Sequence, residues 1–144
     1  MSNTRIEGRL KDVIKTTFTL AKQVVFNDYP GLQLSVGARL QANNDDEVII
    51  THTGHTVNFM KGAATKHTHQ LSVICFSKSY VSACDMADRV FYYFSRGSAT
   101  DLNSINNCDV IFEPESQNLY YTDEDDFAAS VTIRAIVTDR TNID

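Results

Sequence analysis

The sequence predicts an α+β fold, a mostly antiparallel or mixed β-sheet packed by two amphipathic helices. Three observations carry that expectation. Apolar residues recur at three- and four-residue intervals over Thr4–Phe26 and again over Tyr80–Phe94, the period of a helix with one buried face. They alternate instead over His67–Phe76 and Phe127–Val137, the period of a strand. Strand-like segments also follow one another without intervening helices, which argues against an alternating βαβ chain. At 144 residues, 42% of them hydrophobic and only two of them proline, the chain is expected to form one domain over residues 1–144.

In the first helix the stripe is Ile6, Leu10, Val13, Ile14, Thr17, Leu20, Ala21, Val24 and Val25, with Thr4 and Glu7 spaced as a capping box and Gly8 weakening the first turn. The Asn27-Asp28-Tyr29-Pro30-Gly31 run stops it, because proline disfavours helical geometry at the residue before it. Leu32, Leu34 and Val36 then alternate with Gln33 and Ser35 as a short strand, and Gln41 to Glu47 reads as a polar loop. Val48–Thr51 and Thr56–Met60 flank Thr53-Gly54, which predicts a hairpin, followed by a second loop from Lys61 to Lys66. From His67 to Phe76 a strand becomes apolar on both faces toward its end.

The second helix presents Tyr80, Ala83, Cys84, Ala87, Val90, Phe91 and Phe94 to the core and ends near Arg96-Gly97. Cys108–Phe112 and Asn118–Thr122 read as two strands around Glu113–Gln117. The last strand has Phe127, Ala129, Val131, Ile133, Ala135 and Val137 on one face and Ser130, Thr132, Arg134 and Thr138 on the other, with Ile136 as an exception.

Composition excludes several classes. A net charge of −5 disfavours non-specific nucleic-acid binding, which depends on Lys and Arg neutralising phosphates. Three cysteines at irregular spacing, Cys75, Cys84 and Cys108, provide no disulfide framework and no CxxC pair, and are expected as small buried residues. No window approaches 18 consecutive apolar residues, and the first residues lack a secretory signal's apolar stretch, so folding in the cytosol and no membrane partner are expected. A Walker A loop, a G-x-G-x-x-G run and a nucleophile elbow are all missing from the sequence, and we expect neither a cofactor nor catalysis.

Four histidines invite a metal reading. His67 and His69 share one strand face, while His52 and His55 flank the expected turn, so the pairs converge only if their strands are neighbours. With no Cys or carboxylate at ligand spacing beside them, surface or interface histidines are the expectation. The acidic groups Asp45-Asp46-Glu47 and Asp123-Glu124-Asp125-Asp126 lack the spacing of a calcium loop and are expected as solvated loop tips. Of the doublets Tyr92-Tyr93 and Tyr120-Tyr121, one member each should point outward, as candidates for a subunit interface.

The stretch Lys66-His67-Thr68-His69-Gln70-Leu71-Ser72-Val73-Ile74-Cys75-Phe76-Ser77, followed directly by the helix Tyr80–Phe94, resembles the tail terminator, or tail completion, proteins of long-tailed bacteriophages. The N-terminal amphipathic helix and the long strand Phe127–Val137, preceded by the acidic turn Thr122–Asp126, are similar too. The resemblance implies a virion protein of the tail or neck, assembled in the host cytoplasm as a homo-oligomeric ring, usually a hexamer. Such a ring caps the tail tube protein, ends tube polymerisation and meets the head completion or connector protein. On that reading the loops bearing Asp45, Asp46, Glu47, Lys61 and Lys66, and the quartet Asp123–Asp126, are channel or partner contacts, where acidic tips would repel DNA passing through. The alternatives are a head–tail connector or other tail subunit, and a small cytosolic ligand-binding domain.

Overall fold

A computed structural model of the protein describes residues 10–29, 31–38, 46–59, 65–96, 109–122 and 125–139. Helix α1 (Leu10–Leu20) buries Val13, Thr17 and Leu20 along one stripe. Thr17 reconciles its hydroxyl with full burial by donating to the Val13 carbonyl at 2.8 Å, one turn back. The helix continues into a wider π turn, Ala21–Val25, closed by the Phe26 N–H donating to the Ala21 carbonyl at 2.9 Å. That one-residue widening keeps Ala21, Val25 and Phe26 all buried, at the cost of leaving Val24 39% exposed. The expected capping box at Thr4 and Glu7 lies outside the described residues.

The remaining elements are β1 (Gln33–Val36), β2 (Glu47–Phe59), β3 (Thr65–Ser77), α2 (Tyr80–Arg96), β4 (Asp109–Tyr121) and β5 (Phe127–Asp139). They build one five-stranded mixed sheet in the order β1-β2-β3-β5-β4, in which β1 pairs with β2 in parallel and all other pairs are antiparallel. The α+β class read from the sequence is the observed one.

Two expectations about strands are corrected. The predicted hairpin at Thr53-Gly54 is absent: β2 runs unbroken for 13 residues, with a β-bulge between His52 and Gly54. The two strands expected around Glu113–Gln117 are likewise one 13-residue strand, bulged between Pro114 and Ser116. Glycine and proline marked real irregularities, but a bulge accommodates an extra residue or a missing N–H without reversing the chain.

Both helices pack on one face of the sheet. Val48, Ile50, Leu71, Val73, Cys75, Ala129, Val131 and Ile133 meet Val13, Leu20, Val25, Ala83, Met86, Val90 and Phe94 in a continuous core. Each fully buried aliphatic or aromatic side chain contributes roughly 1.5–3 kcal/mol. Small residues on both surfaces, Ala83 and Ala87 of α2 and Ala129 of β5, are buried in this core. Ser79 caps α2, its hydroxyl oxygen accepting from the Ser82 N–H at 3.3 Å. Tyr80, expected on the core face, is instead 54% exposed, because this first turn lies at the sheet's margin against Phe127.

The opposite face carries a small apolar group, Ile49, Phe76 and Ala128 with Ile74 against it. Beside it are polar cross-strand pairs: Arg134 reaches Glu113 at 2.8 Å, and Gln70 donates to Glu115 at 3.0 Å. The strands outrun the helix. Thirteen residues of β3 or β5 extend about 43 Å, whereas the 17 residues of α2 reach about 26 Å.

Candidate functional site

The sheet brings together what the sequence left apart, because β2 and β3 are neighbours. In a regular strand His52 and His55, three residues apart, would face opposite sides. Thr53 is the unpaired bulge residue, with His52 opposite Leu71 and His55 opposite His69. The phase is thereby reset and both imidazoles join His67 and His69 on the helix-covered face. His52 Nε2 lies 2.9 Å from His69 Nδ1, and His55 Nε2 lies 3.0 Å from His67 Nδ1. The His55 and His69 rings stack with centroids 4.0 Å apart.

His69 is fully buried, His52 and His67 are half-buried, and His55 is exposed. Partial burial, with His55 close by as a second contributor, holds His52 below the ordinary histidine pKa. The array sits at the row His55–His69–Ala135–Phe112, where Phe94 near the end of α2 packs on Phe112 at 4.8 Å.

The tyrosine doublets behave differently from each other. Tyr92 is 55% exposed while Tyr93 packs against the core, as expected of a helical pair. Tyr120 and Tyr121 are both exposed, which corrects the expectation that one of them is internal: β4 is an edge strand of the sheet, and α2 lies over other positions. Tyr121 instead packs on Phe127 at 5.2 Å, and Tyr80 packs on the same ring at 5.5 Å. With Val81, 74% exposed, they form an apolar patch at the start of α2. Sequence reasoning missed this patch because it placed Tyr80 in the core stripe. Tyr92 lies twelve residues along α2 from Tyr80, about 18 Å away, so the doublets belong to different surfaces.

The acidic expectations are also revised. Glu47 opens β2 and is 1% exposed, and Asp126 is 2% exposed, so neither is a solvated tip. Asp126 accepts a hydrogen bond from the Thr122 hydroxyl, and the Thr122 N–H donates to its carbonyl at 2.8 Å, closing the β4–β5 connection. Asp125 adopts a positive φ of 61° there and is exposed, a conformation that aspartate tolerates better than most residues. Asp46 is half-buried, its carbonyl accepting from the Gln33 N–H at 3.1 Å. Lys66 lies in β3 and not in a loop. Asp45, Lys61, Asp123, Glu124 and Cys108 lie outside the described residues. Of the other cysteines, Cys75 is fully buried, which raises its pKa by desolvation, and Cys84 is half-buried beside a cleft.

A further polar group, unread in the sequence, fastens the turn after the π segment to α2. The Tyr29 hydroxyl donates to Asp85, Arg89 bonds Asp85 at 3.1 Å and Asp28 at 3.2 Å, and the Arg89 guanidinium lies 5.0 Å from the Tyr29 ring centre. Burial, reinforced by the Asp85 carboxylate, pushes Tyr29 up to about 12. The same hydrogen bond holds Asp85 below the usual carboxylate range.

Two clefts open among the described residues. One of about 170 Å³ lies between α2 and β4 beside Cys84, Asp88 and Gln117, where Gln117 donates to Asp88 at 3.1 Å. The other, about 450 Å³, lies beside Phe18, Lys22, Phe26 and Leu32. The first is smaller than a typical ligand site. Among the described residues, no helix is long and apolar enough to cross a membrane.

These features define an α+β protein with long strands, helices on one sheet face, a small buried apolar group with polar pairs on the other, and an exposed aromatic patch. Its fold is similar to that of a chain in the solved virion of a native gene transfer agent particle, with a TM-score of 0.58 over 91% of this chain and 96% of that one. Identity between the two is 9%, so the likeness establishes the shared fold. No protein-family model and no curated protein matches the sequence.

Proposed function

We propose that this protein is a non-catalytic structural subunit of a phage-related virion, and within it a tail terminator. It would assemble into a ring of about six copies that caps the tail tube, ends its growth and presents a surface to the head connector. The observation that carries this reading is the near full-length likeness to a chain of a gene transfer agent virion. The resemblance in the β3–α2 segment, from Lys66 to Phe94, points to the same class of particle.

The physical features suit assembly. A closed ring joins two different patches on each copy. The Tyr80–Tyr121–Phe127 surface with Val81 offers one such patch, since aromatic residues are enriched at the centres of interfaces. Partners on this reading are further copies of the chain, the tail tube protein and the head connector protein, with DNA passing through the channel without sequence-specific contact. The location is the tail or neck of the virion.

Light scattering across a wide concentration range, followed by negative-stain imaging with and without polymerising tail tube protein, tests the proposal. Rings that arrest tube growth at a defined end are the expected result. Rings that bind head connectors but leave tube growth unaffected would assign the chain to the neck, and a monomer that ignores tubes altogether would overturn the reading.

A further inference from the structure

The sheet places three histidines within reach of one ion. His55, His67 and His69 each offer a ring nitrogen, and these atoms lie within 4.8 Å of one another. Two of the three share a face of β3, and the third stands opposite His69 on β2. A tetrahedral ion with bonds of 2.0–2.1 Å holds its ligand nitrogens about 3.4 Å apart. Side-chain torsions of the exposed His55 and half-buried His67 suffice for that contraction, since neither ring is locked in the core as His69 is.

The fourth histidine acts on this set from outside. His52 Nε2 lies 2.9 Å from His69 Nδ1. A proton on His69 Nδ1, donated to His52, leaves Nε2 as the basic nitrogen of the His69 ring. Metal-bound imidazoles are commonly oriented through a hydrogen bond of this kind.

We propose that His55, His67 and His69 form a binding site for a late first-row divalent metal ion, zinc foremost, oriented by His52 and completed by a water molecule. The donor set selects the metal: imidazole suits zinc, copper and nickel, whereas calcium and magnesium require oxygen ligands, of which this set has none. The bulge at Thr53 is the structural basis of the site, because it turns His55 to the face that His52 already occupies. The bound ion would tie β2 to β3 at the point where their ladder is interrupted. The proposal concerns this chain's own strands and does not depend on its role in a virion.

The test uses the full chain, purified without a histidine tag and stripped with chelator, titrated with Co²⁺ and then with Zn²⁺. The expected result is one ion per chain, a visible cobalt spectrum of four-coordinate nitrogen–oxygen type that zinc abolishes, and a melting temperature raised by roughly 5 °C or more with zinc in excess. His55→Gln and His67→Gln, at positions not locked in the core, should each weaken zinc binding more than about 100-fold, and His52→Gln by about 10- to 100-fold. Binding that is unchanged in the His55→Gln, His67→Gln double variant would overturn the proposal. So would the absence of binding by the stripped protein at up to about 100 µM free ion.

Discussion

His52 and His55 present their imidazoles to the same face of β2, 6.4 Å apart between ring centroids, although three residues of chain separate their positions. Thr53, the bulge residue with no register position opposite it on β3, accounts for it. Deleting Thr53 would make the two histidines ordinary i, i+2 neighbours and preserve the register on both sides. That variant is expected to remain folded, losing about 1 kcal/mol with the bond from the Thr53 hydroxyl to the Gln70 carbonyl. Deleting Ile49 instead lets the ladder close only by turning the buried Ile50 to the other face and Thr51 toward the core, so it should cost about 2–5 kcal/mol. Denaturant melts of both variants decide the matter, and equal damage from the two deletions would contradict the assigned bulge.

Phe94 closes the end of α2 over Phe112 and is 1% exposed. Phe94→Ala should cost about 3–5 kcal/mol, the range for emptying a large aromatic site that cannot collapse. A shift in the denaturation midpoint, with an unchanged dependence on denaturant, is the expected readout. Tyr92→Ala, two residues earlier and on the exposed side, should stay within about 0.5 kcal/mol.

Tyr29 sets an alkaline limit. Its folded pKa is raised above the ordinary tyrosine value of 10.0 to about 12 by burial and by its bond to Asp85. A raised pKa means that the stabilisation is complete below pH 10 and is lost as pH climbs toward 12. Tyr29 should therefore ionise as a late step in a spectrophotometric titration. Tyr29→Phe should remove that late step and flatten the stability profile over the same interval.

The exposed patch at the start of α2 makes an assembly prediction. Tyr80→Ser and Tyr121→Ser, at 54% and 60% exposure, should change the isolated chain's melting behaviour little, by about 0.5 kcal/mol at most. They should shift the concentration at which larger species appear in light scattering by tenfold or more, if aromatic anchors carry the contact. Unaltered association in the double variant would remove this patch from the interface.

Periodicity was a reliable guide wherever one face of an element is buried. The alternation over Phe127–Val137 was read correctly, because β5 is flanked by strands and turns Phe127, Ala129, Val131, Ile133, Ala135 and Val137 toward the helices. The same reasoning divided β2 and β4, since Thr53-Gly54 and the Pro114 segment carry turn residues and a bulge has no composition of its own. Tyr80 misled for a related reason: its spacing fits the helical stripe, but the stripe runs past the sheet's margin. The histidine array was half legible. The pair at 67 and 69 follows from strand alternation, whereas the approach of 52 and 55 needs both the β2–β3 pairing and the bulge, which are properties of the register.

The difference in length between strands and helix has a mechanical consequence. Phe94 near the end of α2 meets the row of His69 and Ala135, so the four residues of β3 and β5 beyond that row, about 13 Å, run past this contact, held by their ladders to β2 and β4. Such a projection behaves as a stiff lever anchored in the packed half. A tilt of about 10° at the anchored end carries the far end sideways by about 2 Å. A partner gripping the distal strands would therefore meet a small rotation of the helix-covered body as a sideways displacement, and the histidines lie at the near end of the projection.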